Sequence, residues 1–187
     1  LLGIEGSCTT LGSSATSLLQ IACELCCGFG ESRSADITGY FPNFSFFATF
    51  SVAYHSGVKI GWYDLDPDTH MPTLSDLTHN PKFIYLTVPF GSDKILEYIE
   101  FAKSMDSFVI IDAAACLPTI IHQNIKLTQI PKNVIIVFSL HATKLINSGE
   151  GGLMVFGQDV PQHAQNLTNF GLNHQRIQFW PGSFNAK

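Results

Sequence analysis

The sequence predicts an α/β fold, a mostly parallel sheet with helices on both faces. Short runs rich in β-branched and aromatic residues alternate with stretches of helical periodicity. Two of these runs, Phe108 to Ile111 and Asn133 to Phe138, are nearly continuous in apolar residues, as strands covered on both faces are. The chain of 187 residues is 45% hydrophobic and only 13% charged, enough apolar material for one large domain spanning residues 1–187.

The elements follow in order. Ser13 and Ser14 can cap a helix running through Leu18, Leu19, Ala22 and Leu25, which ends near Gly28 and Gly30. A strand over residues 37–41 stops at Pro42, and helical spacing returns over Phe47 to Tyr54. Val58 to Tyr63 reads as a strand ending at the turn-rich Asp64-Leu65-Asp66-Pro67-Asp68, and Lys82 to Val88 is the next strand. Beyond Gly91, Ile95, Leu96, Ile99 and Ala102 line one face of a helix, and the apolar strand from Phe108 ends on the carboxylate of Asp112. Asn133 to Phe138 is followed by an outgoing loop, Ser139 to Lys144, and Gly152 to Phe156 supplies the last strand. No unit repeats at a fixed spacing.

Composition excludes several classes. Ten Lys and Arg against fifteen Asp and Glu give a net charge of −5, and no basic cluster is available to neutralise a phosphodiester backbone, so no nucleic-acid partner is expected. The charge-free stretch Ile37 to Val58 carries Pro42, Asn43, Ser45, Thr49, Ser51 and His55, which reads as buried chain and not as a membrane span. Leu1 to Glu5 shows neither an initiator Met nor a basic, apolar leader, and the expectation is a chain that starts inside a longer protein. Five cysteines, three of them at Cys23, Cys26 and Cys27, do not form a secreted disulfide framework and fit a reducing cytoplasm. No second Cys/His pair completes a zinc site, so these thiols read as small apolar residues and no metal is expected. Gly28-Phe29-Gly30 begins a dinucleotide fingerprint, but Arg33 stands where the third glycine belongs.

Ligands of an open α/β sheet bind outside the carboxyl ends of the strands, and Asp112, Ser139 and Lys144 all belong to that edge. A helix capped at Ser14-Ala15-Thr16 offers backbone N–H groups to a phosphate. A lysine, a carboxylate, a hydroxyl and an anion site are the parts needed for pyridoxal phosphate (PLP). Lysine forms a Schiff base with its aldehyde, and a carboxylate keeps the pyridine nitrogen protonated so that the ring accepts carbanion charge.

Phe138-Ser-Leu-His-Ala-Thr-Lys144 followed by Gly149-Glu-Gly-Gly152 resembles the Schiff-base segment of the DegT/DnrJ/EryC1/StrS aminotransferases, fold-type-I enzymes that act mainly on sugars. Further matches run in order: Pro42 to Thr49, Gly57 to Thr69, Val88 to Gly91, Ile111 to Ala114, Asn169 to Gly171 and Gly182 to Lys187. The resemblance implies the PLP-binding large domain, with an N-terminal segment and a small C-terminal domain outside the chain. It implies that Lys144 and Asp112 are catalytic, Lys144 holding the cofactor and moving a proton, Asp112 pairing with its ring nitrogen. Ser139, with the backbone of Ser14 and Ala15, would hold the phosphate, Phe46 would lie near the ring, and Asn185 would reach the phosphate of the neighbouring subunit in a homodimer with shared sites. The implied reaction moves an amino group from an amino acid, glutamate first, to a keto group of a nucleotide-linked deoxysugar. Two positions depart from the family pattern: Ser14-Ala15 replaces Gly-Thr or Gly-Ser, and Ala115 replaces a Gln or His. The alternative is a truncated or non-catalytic homologue that keeps the fold and serves as a weak cofactor binder or partner subunit. His141 is read as structural.

Overall fold

The computed structural model describes residues 2–4, 8–27, 37–68, 70, 72 and 81–168. Gly28, Gly30, Arg33, Thr69, the stretches from Asn169 and from Gly182, and Asn185 among them, lie outside the described residues. The chain runs β1 (Thr9–Gly12), α1 (Ala15–Cys27), β2 (Thr38–Pro42), α2 (Phe47–His55), β3 (Lys59–Tyr63), β4 (Phe83–Thr87), α3 (Ile95–Lys103), β5 (Phe108–Asp112), α4 (Leu117–His122), β6 (Val134–Ser139), β7 (Gly152–Phe156) and α5 (Gln162–Thr168). The strands form a seven-stranded sheet in the order β1-β7-β6-β5-β4-β2-β3.

Period-two alternation explains the two covered faces. In β5, Val109 and Ile111 enter one core cluster while Ile110 enters the other, and in β6 Ile136 and Phe138 oppose Ile135 and Val137. Ile95, Tyr98, Ile99 and Ala102 of α3 and Leu117 and Ile120 of α4 close the first face. The second face is closed by Leu18, Leu19, Ala22, Cys23 and Cys26 of α1 with Val52 and Ala53 of α2. Cys23 and Cys26 are buried in that apolar layer, and burial pushes both thiols upward, so they act as small hydrophobes. The charge-free stretch expected to be buried chain holds β2 and α2 and is buried only in part: β2 and one side of α2 face the core, while Phe44, Phe46, Phe47 and Tyr54 are exposed. Among the described residues no helix is long and apolar enough to cross a membrane.

The fold is the mostly parallel α/β architecture expected, with two corrections of detail at Ser139 and in the number of elements. β2, β3, β4, β5 and β6 are parallel, but β7 runs antiparallel to both β6 and β1. A parallel neighbour needs a crossover to the far end of the sheet, whereas residues 140–151 carry no helix and return to the edge they left. Ser139, expected in the outgoing loop, is the last residue of β6 and pairs with Gly152. β1, α4 and α5 add elements that the hydrophobic pattern did not signal.

Gly152 sets how closely α1 can start against β7. A Cβ there would lie 2.9 Å from the Ala15 nitrogen and 3.0 Å from the Ser14 carbonyl carbon, both backbone atoms that cannot rotate away. Gly152→Ala is therefore expected to lower stability by about 1–3 kcal/mol through overpacking, read as a lower urea midpoint with an unchanged slope.

Candidate active site

Three neighbouring strands end together at the carboxyl edge of the sheet. Thr87 closes β4 and pairs with Asp112, which closes β5, while Ser139 closes β6. The loop after β6 carries Lys144, and the starts of α1 and α2 bring Ser14, Ala15 and Phe46 to the same edge. All six expected positions among the described residues, Ser14, Ala15, Phe46, Asp112, Ser139 and Lys144, line one cavity of about 800 Å³. Asn185, the remaining one, lies outside the described residues.

Asp112 is the buried charge of this edge, only 5% exposed. Its Oδ2 accepts the Tyr85 hydroxyl at 2.9 Å and its Oδ1 accepts the Ala114 N–H at 3.1 Å. Burial pushes its carboxyl above the usual range, while these two donors and the Lys144 ammonium pull it back. Cys116, just after β5, is pushed up to about 12, by burial first and by the Asp112 charge second. Sequence reading missed Tyr85, whose ring hides in an apolar run. Its position two residues before Thr87, the partner of Asp112, puts it on the strand face that Asp112 shares, a register that the sequence alone does not carry.

The Lys144 loop is held from within. Leu140 N–H donates to the Gly151 carbonyl, Ser148 N–H to Leu140 and Ala142 N–H to Gly149, at 2.9, 2.9 and 2.7 Å. Lys144 itself donates its N–H to the His141 carbonyl and accepts from the Asn147 amide, both at 2.9 Å. Gly149 and Gly151, at φ 84 and 135, take backbone shapes that side chains disfavour, which accounts for the glycines of this motif. His141 accepts the Thr143 N–H on Nδ1 at 3.2 Å, leaving the Nε2 proton toward Glu150 at 3.4 Å. Both partners lie in the same loop, so these contacts brace the loop.

At the start of α1, Ser14 is the N-cap. Its Oγ accepts the Ser17 N–H at 3.1 Å and its carbonyl accepts the Ser17 hydroxyl at 2.8 Å. Ser14 is not among the residues with positive φ, so the backbone there does not require glycine. Ala15 and Thr16, in the first turn, have no helical carbonyl ahead of their N–H groups, and both residues line the cavity.

The model of the DegT/DnrJ/EryC1/StrS aminotransferase family matches residues 4–185. The chain belongs to this family. Among solved structures it is similar to a Bacillus cereus protein described as a PLP-dependent aminotransferase, with 25% identity and a TM-score of 0.72 over 90% of this chain and 46% of that one. It is also similar to a DegT DnrJ EryC1 StrS aminotransferase from Brucella abortus, with 21% identity and a TM-score of 0.72 over 95% and 49% of the two chains. NtdA of Bacillus subtilis, solved with bound PMP, is 20% identical, with a TM-score of 0.67 over 88% and 37%. The chain thus spans about half the length, or less, of these relatives. No curated protein matches it.

PLP is the cofactor of the DegT/DnrJ/EryC1/StrS family, and the cavity fits it. Each Asp112 oxygen has one protein donor, which leaves acceptor capacity for a ring N–H. Lys144, the start of α1 and Ser139 line one space, and Phe46, 76% exposed, adds an aromatic residue to its lining. Where the family carries a Gln or His, Ala115 gives the cavity an apolar wall with Val88.

The raised Asp112 pKa has a stability consequence in the cofactor-free chain. Between its unfolded value and its higher folded value the folded state binds more protons, so Asp112 favours folding at low pH and this contribution is lost as pH rises through that interval. The neutral variant Asp112→Asn is therefore expected to gain stability relative to wild type as pH rises above about 4, levelling off once folded Asp112 has ionised. Urea unfolding of both chains across pH checks this.

Proposed function

We propose that residues 1–187 are the cofactor-binding large domain of a PLP-dependent aminotransferase that moves an amino group from an amino acid, glutamate first, to a keto group of a nucleotide-linked deoxysugar. The observation that carries the reading is the meeting of Lys144 and the buried Asp112 at one cavity, in a chain of this family. Bound PLP supplies an electron sink for the carbanion left when a substrate carbon loses its proton.

The chain's own residues would do the rest. Lys144 Nζ would hold the cofactor at its aldehyde carbon and would serve as the base that takes and returns the substrate proton. Asp112 accepts the ring N–H and holds that proton in place. The N–H groups at the start of α1 and the Ser139 hydroxyl hold the phosphate, and Phe46 covers the ring. Asn185 is assigned to the partner subunit's phosphate in a homodimer, and the reaction is placed in the cytoplasm. The sugar specificity rests on the family and on solved relatives called sugar aminotransferases, such as CalS13 of Micromonospora echinospora.

A second reading, a weak cofactor binder or partner subunit, is favoured by the apolar wall at Ala115 and by the Ser14 hydroxyl being spent on the helix. Cofactor retention separates the two. PLP added to the chain is expected to give an absorption band that survives gel filtration, with borohydride fixing the cofactor to Lys144, and Lys144→Ala is expected to lose both. Asp112→Asn is expected to keep part of the bound cofactor and to slow the reaction with glutamate at least about a hundredfold. A band that is unchanged in Lys144→Ala would overturn the assignment. Conversion of a nucleotide 4-keto-sugar with glutamate as donor tests the substrate class.

A further inference from the structure

Behind the cavity wall lies a run of hydroxyls that the proposed chemistry does not use. Tyr85 and Thr49 are fully buried, while Ser45 and Thr87 are half-buried at the cavity. Tyr85 donates to Asp112 Oδ2 at 2.9 Å, and the nearby Thr49 side chain pulls the Tyr85 pKa down against burial. Thr49 Oγ1 meets Ser45 Oγ at 2.7 Å, and Ser45 Oγ meets Thr87 Oγ1 at 3.0 Å.

The direction of this run follows from counting protons. An ionised carboxylate only accepts, so the single Tyr85 proton goes to Asp112, and a proton shared between Tyr85 and Thr49 can come only from Thr49, the direction that lowers the Tyr85 pKa. The Thr49 proton is then spent, so Ser45 donates to Thr49, and by the same count Thr87 donates to Ser45. Each hydroxyl accepts one bond and donates the next, the arrangement in which successive bonds strengthen one another. We propose that Tyr85 is a positioning residue, the head of a one-way hydroxyl relay Thr87→Ser45→Thr49→Tyr85 that aims the buried Asp112 carboxylate at the cavity. This rests on the reading of Asp112 as the partner of the cofactor's ring nitrogen.

The relay answers a conflict in the site. Burial favours the neutral acid at Asp112, whereas its proposed task needs the anion. The charged and titratable groups acting on it are Tyr85 from β4 and Lys144 from the loop after β6; Cys116, just after β5, feels the Asp112 charge, and Cys23 of α1 acts on Tyr85. Burial keeps Tyr85 a phenol, hence a donor, throughout the range in which Asp112 titrates. The same hydroxyls tie β4 to Ser45, next to Phe46, so the aromatic face and the carboxylate are located by one network.

The test reads the carboxylate itself in the cofactor-free chain, by carbon-13 titration of aspartate-labelled protein with the Asp112 resonance identified by its loss in Asp112→Asn. Tyr85→Phe keeps the ring, stacked 5.3 Å from Phe41, and removes only the donor. It is expected to raise the Asp112 pKa by about one unit or more, and Thr49→Val and Ser45→Ala are expected to raise it by smaller steps. A ring that merely fills space would leave the titration unmoved. With PLP added, the same variants are expected to weaken its binding in the same order. An unchanged titration in Tyr85→Phe overturns the proposal, and unchanged titrations in both Thr49→Val and Ser45→Ala overturn the relay behind it. If Tyr85→Phe does not fold, the other two variants decide by the same criterion. A wild-type chain that binds no PLP would remove the proposed function and leave the relay standing on its own titration.

Discussion

The parallel register of β4, β5 and β6 decides where the polar groups of the cavity stand, because it ends β4 and β5 side by side at Thr87 and Asp112 and carries β6 two residues further, to Ser139. That register is held by burial on both faces. A slip of one residue would carry Ile110 and Ile111 to opposite layers and turn Asp112 away from Tyr85. The apolar interior therefore fixes the polar edge, and the loops need only supply what the strand ends lack.

What they supply is governed by the cost of charge. A carboxylate only 5% exposed is unfavourable unless donors and an opposite charge meet it, and Tyr85, Ala114 and Lys144 each contribute. None of these comes from β5 itself, since Tyr85 lies on β4, Ala114 follows the strand and Lys144 sits beyond β6. A site that depends on partners from several elements is in place only when the whole sheet edge is assembled. This is how a fold can hold an ionisable group where an isolated strand could not.

Much of this was legible in the sequence. An apolar run that ends on Asp112 announces a carboxylate at a strand end, and the lysine and glycines from Lys144 to Gly152 announce the family. Other features were hidden for physical reasons. Strand direction is not written in hydrophobic alternation, so the reversal of β7 came only from the connection that returns to the same edge. β1, α4 and α5, of four, six and seven residues, are too short to establish a period. Ser139 was placed one position beyond its strand because a hydroxyl after Phe138 looks like a loop, although pairing with Gly152 keeps it in the sheet. The Tyr85 hydroxyl could not be seen because an aromatic residue in a buried run counts as apolar until its oxygen finds a partner.

The bridge between Ser14 and Gly151 joins the start of α1 to the loop that carries Lys144, and the bare Gly152 lets the two backbones touch. The start of α1 and the Lys144 loop are thereby held to each other by backbone contacts at one cavity. If, as proposed, they take the phosphate and the aldehyde of one molecule, that molecule has to match their separation, so an aldehyde without a phosphate, or with a longer arm, would engage one end and miss the other. Selection among chemically similar carbonyl compounds can then come from length alone, set by backbone contacts that never touch the reacting group.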